Sequence, residues 1–204
     1  MHPQLTIGWL LQLLIAGLIF VSLCWGIRYS PQFSLAEERL QHRIIRQQNN
    51  WWWRLVATVF DPKALVMWDF LLAGLLLVQG RELRAIYVLA MLASVDAFGI
   101  WVKHHLKRQR PATFGHVTPT YSFPSGHTLG TTMMALMIGM LFPNLLIRGL
   151  VLLGWLLVIC CRLTLHAHYP SDVFGAVVVD RWRVIIHIDN EVKNDGSTFN
   201  SISH

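Results

Sequence analysis

The chain has 204 residues, of which 54% are hydrophobic and only 14% are charged, and its mean hydropathy is +0.45. This composition excludes an ordinary soluble globular domain and is typical of an integral membrane protein. The formal net charge of +6 would favour nucleic-acid binding on a soluble surface, but the basic residues stand in short segments between apolar runs, so we expect anionic head groups as partners and no nucleic acid.

The first apolar run, residues 5–27, is long enough to cross a membrane, for which about 20 helical residues suffice. We predict a transmembrane helix rather than a cleaved signal peptide, because no basic segment precedes it and no small-residue cleavage site ends it. Residues 28–62 are charged and amide-rich and contain Trp51, Trp52 and Trp53. Since tryptophan favours the membrane boundary, this segment is predicted to lie along the head groups as an anchor.

Two shorter apolar runs follow. Residues 63–79 come after an Asp-Pro pair that is typical of a helix N-cap with proline at the first helical position. Residues 85–102 form the third predicted span and contain Asp96, which lies about two helical turns before Lys103 and therefore on the same face. Asp96 either supports Lys103 or is solvated near the end of the helix.

A polar segment rich in cations separates the third span from the fourth. It ends at Ser125, Gly126 and His127, and the fourth span, residues 128–142, reaches a useful length only if its helix begins at Ser125. Helix N-terminal amides and arginine side chains are the usual means by which proteins hold a phosphate. The cations of the segment are Lys103, Lys107, Arg108 and Arg110.

The fifth span, residues 145–161, leads to a second polar cluster that contains Arg162, His168 and Asp172. Counting the spans places the end of the third, the start of the fourth, the end of the fifth and the start of the sixth on one side of the membrane. The two polar clusters are therefore predicted to be neighbours. Because Lys and Arg are more numerous on this side, the positive-inside rule alone would place the clusters in the cytoplasm.

The sixth span should begin near Pro170, where Asp172 in the first turn suits the helix dipole. The apolar run is short, because a charged sequence begins at Asp180. We predict one all-α domain over residues 1–179, a polytopic membrane bundle of about six helices with a truncated or atypical sixth. Residues 180–204 are predicted to form an atypical polar tail.

Three short motifs in the two clusters carry a resemblance to a known family. They are Lys103-x6-Arg110-Pro111, Pro124-Ser125-Gly126-His127 and Arg162-x5-His168-x3-Asp172. In order, spacing and membrane placement these motifs resemble the signature of the type 2 phosphatidic acid phosphatase (PAP2) family, membrane lipid phosphatases related to the vanadium haloperoxidases. One departure is Cys161, which stands where the family has serine and, as a weaker hydrogen-bond donor, predicts weaker phosphate binding.

The resemblance implies roles for the motif residues. His168 would attack phosphorus to form a phosphohistidine, Asp172 would hold it in the right tautomer, and His127 would protonate the leaving oxygen and then activate water. The expected activity is hydrolysis of a lipid phosphate or polyprenyl pyrophosphate, such as phosphatidylglycerol phosphate, undecaprenyl pyrophosphate or phosphatidic acid, with no metal and no other cofactor. The resemblance also implies a site on the extracytoplasmic face of a bacterial cell membrane, against the raw charge count. The residues expected to bind the phosphate are Lys103, Arg110, Ser125, Gly126 and Arg162.

Two other functions would use the same residues. A lipid phosphotransferase would pass the phosphoryl group to another lipid, and a non-catalytic lipid-binding or transport protein would use only the cations to hold head groups. The pair His127 and His168 favours an enzyme, because binding alone does not require two histidines at these positions. The sequence leaves the lipid and the oligomeric state open.

Other polar residues are interpreted without a catalytic role. Lys107 and Arg108 are interpreted as head-group contacts or surface charge. His104 and His105 are interpreted as solvated loop residues. A metal site is disfavoured, because the histidines that could join the motif pair lack a recognisable zinc spacing, and the cysteines show no disulfide framework. These side chains are His104, His105, His116 and His166, and Cys24, Cys160 and Cys161.

Overall fold

Helices make up all of the regular structure in the part of the chain that the computed structural model describes, which is residues 7–46, 50–111 and 120–180. The predicted all-α fold is confirmed. The helices are α1 (Ile7–Tyr29), α2 (Pro31–Ile44), α3 (Trp51–Val59), α4 (Pro62–Val78), α5 (Glu82–Leu106), α6 (Gly126–Leu141), α7 (Leu145–Thr164) and α8 (residues 170–180).

Among the described helices, three are long and apolar enough to cross a membrane: Leu10–Tyr29 within α1, α5 and α7. Helices α4 and α6 have 17 and 16 residues. They therefore measure about 25 Å at 1.5 Å per residue, slightly less than the roughly 30 Å hydrocarbon core. The chain is an integral membrane protein, and the number of about six spans stays a prediction. The predicted tail lies outside the described residues except for Asp180, which is buried at the end of α8.

Local side chains explain where several helices begin. Asp61 caps α4 by accepting a hydrogen bond from the Lys63 amide at 3.0 Å, and proline follows at the first helical position as predicted. Ser125 is the N-cap of α6, with its hydroxyl 3.5 Å from the Thr128 amide, so this helix begins at the expected residue. Asn144 caps α7 in the same way.

Helix α5 continues beyond the predicted third span. It ends where Lys107 adopts a left-handed conformation with φ of 50°, and the Lys107 amide donates to the Lys103 carbonyl at 2.9 Å. Lys103, His104 and His105 consequently belong to the last turn of a helix, so their predicted placement in a loop was wrong. His104 and His105 are exposed, as expected of solvated residues.

Small residues allow α4, α5 and α6 to approach closely. A Cβ atom at Gly130 of α6 would lie 2.6 Å from Leu65 Cδ1 of α4, and one at Gly99 of α5 would lie 2.7 Å from Leu129 Cδ2. Gly130 and Gly99 therefore permit close contacts between these helices. At Gly139, by contrast, a Cβ atom would meet no atom within 4 Å.

Two buried apolar clusters hold the helices together. The larger joins α4, α5, α6 and α8 through residues such as Leu76, Val88, Met133 and Ala176, and the smaller packs α3 on α7. Large apolar side chains on α1, α4 and α7 are exposed, as expected of a surface that faces lipid. This packing brings the end of α5, the start of α6, the end of α7 and the start of α8 to one end of the bundle.

The segment 28–62, predicted as a surface anchor, forms α2 and α3. Ser30 caps α2, and the hydroxyl accepts from the Phe33 amide at 3.2 Å. Trp51 is 74% exposed, whereas Glu37 and Gln41 on α2 are 8% and 1% exposed. An anchoring role alone is therefore wrong for α2, because one of its faces is buried against the polar clusters.

Candidate active site

The two polar clusters meet at one end of the bundle, as the count of spans predicted. Arg110 Nη1 lies 3.3 Å from His168 Nε2 and 3.3 Å from the Ala167 carbonyl. The Ser125 amide donates to the Asp172 carbonyl at 3.0 Å. Side chains that are more than forty residues apart in the sequence therefore line one site.

His168 is buried at the centre of this site. Its Nδ1 atom lies 3.5 Å from Asp172 Oδ2, while its Nε2 atom faces Arg110. The carboxylate favours the tautomer with the proton on Nδ1, which leaves the lone pair on Nε2. Burial, reinforced by the positive charge of Arg162 and Arg110, holds the pKa of His168 well below its ordinary value. The imidazole is consequently neutral and can act as a nucleophile.

Asp172 is fully buried and accepts hydrogen bonds on both carboxylate oxygens. Oδ2 accepts from the Tyr169 amide at 2.9 Å, and Oδ1 accepts from Arg108 Nη1 at 2.7 Å. A carboxylate held by a backbone amide and a guanidinium group has a fixed orientation. Asp172 is therefore placed to orient the imidazole of His168.

Several cations lie close enough to His168 to lower its pKa, namely Arg162, Arg110 and Lys103. Lys103 Nζ donates to the carbonyls of Tyr121 at 3.3 Å and Pro124 at 2.6 Å. Within the described residues no ion pair joins Lys103 to Asp96, so the suggested support from Asp96 is not confirmed. Arg162, from the last turn of α7, is buried.

Arg110 is held at the same site by backbone groups and is itself partly desolvated. Its Nε atom donates to the Thr120 carbonyl at 3.3 Å, which keeps the guanidinium group beside His168. Burial lowers the pKa of Arg110 from its ordinary value. A desolvated cation gains more from an incoming anion than a hydrated one does.

His127 stands on the first turn of α6. Its Nε2 atom lies 3.1 Å from the Ala57 carbonyl, 3.5 Å from Arg162 Nη1 and 3.7 Å from Asp61 Oδ2. The carbonyl and the carboxylate both favour a proton on Nε2. Asp61, predicted only as a helix cap, thus also lies beside a candidate catalytic histidine.

The start of α6 is the predicted phosphate cradle. Ser125 is fully buried, and its hydroxyl lies 3.1 Å from Thr128 Oγ1. Because the Ser125 amide already donates to the Asp172 carbonyl, the Gly126 amide is the first one that can be directed at a ligand. Phosphate binding by Ser125 and Gly126 stays a prediction.

Arg108, interpreted from the sequence as surface charge, is only 7% exposed. It donates to Ser171 Oγ at 2.7 Å and to Glu37 Oε2 at 2.5 Å, in addition to Asp172. Its guanidinium carbon lies 4.2 Å from the centre of the Tyr169 ring, a cation–π contact. The surface interpretation was wrong: Arg108 is a buried part of the site.

Cys161 occupies the position where the PAP2 family has serine. Its side chain is buried, and Sγ donates to the Trp53 carbonyl at 3.2 Å. The thiol therefore joins α7 to α3. Weaker phosphate binding as a consequence of this thiol stays a prediction.

The histidines outside the motifs that the structure describes form no metal-binding cluster. Among the residues that the structure describes, no group of three His, Cys, Asp or Glu side chains could hold a metal ion. His166 is buried, and its Nε2 atom lies 2.9 Å from the Ile45 carbonyl. His116 lies outside the described residues, and the expected independence from metal stays a prediction.

An apolar cleft of about 240 Å³ opens between α6 and α7, near the end of α3. Phe60, Ala135, Gly154 and Trp155 are among the residues that line it. Thr131, which also lines it, donates to the His127 carbonyl at 2.6 Å, so the cleft begins one helical turn from His127.

The helical membrane fold and the segment that carries the motifs are similar to those of known PAP2 proteins. Residues 84–179 match the family model described as "PAP2 superfamily", which confirms the resemblance over just under half of the chain. A search of solved structures finds the crystal structure described as the first transmembrane PAP2-type phosphatidylglycerolphosphate phosphatase, from Bacillus subtilis, with a TM-score of 0.70 and 16% identity. The alignment covers 90% of this chain and 96% of that chain. A search of curated proteins finds no match.

Proposed function

We propose that this protein hydrolyses the phosphate of a membrane lipid, either a lipid phosphate monoester or a polyprenyl pyrophosphate. The observation that carries the proposal is the buried His168, whose Nδ1 lies 3.5 Å from Asp172 Oδ2 and whose Nε2 lies 3.3 Å from Arg110 Nη1. A site that only held anionic head groups would need the cations but not a buried imidazole oriented by a carboxylate.

The reaction has two steps. The cations hold the phosphate, Nε2 of His168 attacks phosphorus, and an N–P bond forms as the bond to the leaving oxygen breaks. Binding of the phosphate dianion favours the protonated form of His127, which gives its proton to that oxygen. A water molecule then passes a proton to His127 and attacks phosphorus, the N–P bond breaks with its electron pair returning to Nε2, and inorganic phosphate leaves.

The apolar cleft supports a lipid leaving group. Because His127 protonates the leaving oxygen, the apolar part of the substrate extends from the His127 side of the site. The cleft begins one turn away, at Thr131. We propose that it receives the first part of an acyl or prenyl chain.

The proposed location is a bacterial cell membrane with the site on the extracytoplasmic face. The family resemblance supports this orientation, although the charge count of the loops favours the opposite one. A cysteine introduced at Trp51, which is 74% exposed on the site side, should react with a membrane-impermeant thiol reagent added to intact cells. Labelling only after the cells are opened would contradict the orientation.

Phosphate release by the purified protein tests the function. In detergent with EDTA, we expect release from at least one of phosphatidylglycerol phosphate, phosphatidic acid and undecaprenyl pyrophosphate. His168→Ala should abolish release, and His105→Ala, at an exposed position, should retain it.

Each alternative gives a different result in this assay. Full activity of His168→Ala would exclude the proposed mechanism, and loss of activity with EDTA would indicate a metal. Transfer of labelled phosphate to a second lipid would identify a phosphotransferase. Binding of the lipids without turnover would indicate a non-catalytic protein.

A further inference from the structure

Two side chains of α2 reach the active site from outside the segment that matches the PAP2 family. Glu37 and Gln41 lie one helical turn apart and are both buried, whereas their neighbour Glu38 is exposed. The family match covers only residues 84–179. The motifs therefore do not account for this part of the site.

The Glu37 carboxylate binds two separate pieces of the site. Oε1 accepts from the Ser171 amide at 2.8 Å, and Oε2 accepts from Ser171 Oγ at 2.8 Å. Oε2 also accepts from Arg108 Nη2 at 2.5 Å. One side chain thus joins the segment after α5 to the first turn of α8.

Gln41 acts on the nucleophile residue itself. Its Nε2 atom donates to the His168 carbonyl at 2.9 Å, and its side chain is only 1% exposed. This hydrogen bond fixes the backbone from which the imidazole projects. Glu37 and Gln41 together hold both ends of the turn from His168 to Ser171.

Arg108 lies between two buried carboxylates, at 2.5 Å from Glu37 and 2.7 Å from Asp172. Its positive charge is shared between them. If Glu37 were neutral, Asp172 would be the sole carboxylate bound to Arg108 and would be drawn more strongly to it. Since Asp172 Oδ2 faces His168 Nδ1, that change would disturb the orientation of the imidazole.

We propose that Glu37 and Gln41 are positioning residues, through which α2 holds His168 and Asp172 in the geometry needed for attack. They touch neither the substrate nor the reacting atoms. They set kcat while the phosphate-binding cations set the affinity. The proposal rests on the proposed phosphatase function.

The test compares Glu37→Gln and Gln41→Met with the matched control Glu38→Gln. Glu37→Gln keeps the shape of the side chain but removes its charge, and Gln41→Met removes one hydrogen bond. We expect kcat to fall about 10- to 100-fold, by analogy with the loss of a side chain that orients a metal ligand. The KM and the inhibition constant of inorganic phosphate should stay unchanged. Glu37→Asp, which keeps the charge, should recover part of the lost rate.

Measurements on the same preparations separate positioning from loss of structure. Thermal melting in detergent gives the loss of melting temperature of each variant. We expect the loss of kcat not to be in proportion to this loss of melting temperature. If Glu37→Gln fails to fold, Gln41→Met decides the question, since it removes no charge.

Three results would overturn the proposal. Both variants could match Glu38→Gln in kcat, or they could lose phosphate affinity in proportion to kcat, or Glu37→Asp could be as slow as Glu37→Gln. If the wild-type protein is active and the variants are unaffected, only the positioning role is refuted. If the wild-type protein is inactive, the proposed function is refuted as well.

Discussion

At the scale of single residues, Asp172 is the clearest case of a side chain with one orientation. Arg108 and the Tyr169 amide hold its two oxygens, so Asp172→Asn would deprive Arg108 of a charged partner and could direct an NH₂ group at His168. That group would favour the wrong tautomer of the imidazole. We expect kcat to fall about 10²- to 10⁴-fold with little change in KM. Steady-state kinetics on the lipid substrate measures this, and an unchanged kcat would show that Asp172 does not orient His168.

The burial of His168 gives a second prediction at this scale, for stability against pH. Its pKa lies well below the ordinary value of 6.5. As the pH falls below that value, the unfolded chain takes up a proton here and the folded chain does not, so the free energy of unfolding decreases. The free energy of unfolding keeps its full value above the pKa that His168 has in the unfolded chain. It decreases as the pH falls toward the lower pKa that His168 has in the folded chain.

His168→Asn removes this contribution. Between about pH 7 and about pH 5, its melting temperature should therefore fall less than that of the wild-type protein. Melting curves in detergent at the two pH values provide the measurement, and His105→Asn, at an exposed position, should keep the wild-type dependence. Equal pH dependence in His168→Asn and the wild type would contradict a buried neutral His168.

At the scale of elements, α8 packs against the segment before α6 through Gly175. A Cβ atom at this position would lie 2.6 Å from Cε2 and Cζ of Phe123, a fully buried ring two residues before Ser125. Overpacking of this kind typically destabilises by about 1–3 kcal/mol. Gly175→Ala should therefore lower both the melting temperature and the rate of the proposed phosphate release. Gly74→Ala, where no atom lies within 4 Å, is the control, and equal behaviour of the two variants would refute this packing.

The cleft between α6 and α7 gives the second prediction at the element scale. A Cβ atom at Gly154 would stand 3.7 Å from Phe60 Cζ, so a leucine there would fill the cleft. Gly154→Leu should reduce turnover of long-chain lipid phosphates but not of a short-chain, water-soluble analogue. Gly74→Leu serves as the control for a bulky residue elsewhere. Equal loss on both substrates, or no loss on either, would show that the cleft does not receive the chain.

Helix starts were easier to predict than helix ends. The starts of α4 and α6 depend on capping by Asp61 and Ser125, which are local interactions that the sequence displays. The end of α5 depends on Lys107 in a left-handed conformation, which the sequence does not signal, since glycine or asparagine is usual there. Lys103 was for this reason placed in a loop although it is helical.

At the scale of the whole molecule, the spacing of the motifs and the number of spans were enough to predict the motif residues and the contact between the two clusters. They were not enough to predict the contribution of α2 to the site. Its hydrogen bonds from Gln41 to the His168 carbonyl and from the Ser171 amide to Glu37 join residues 127 and 134 positions apart. Tertiary packing alone determines which buried polar groups pair at such separations, and a charged, amide-rich helix looks the same in sequence whether it lies on lipid or on protein. Arg108 was misjudged for the same reason, because its partners are invisible locally.

Trapping of the covalent intermediate tests the central claim, that His168 attacks the phosphate of a lipid. Wild-type protein is mixed with a lipid carrying radiolabelled phosphate at the reacting position and quenched within the first turnover. We expect label on the protein that survives alkali and is lost in acid, as for an N–P bond, and that is absent from His168→Ala. Phosphate release by the wild-type protein without such label, or label retained in His168→Ala, would contradict the account.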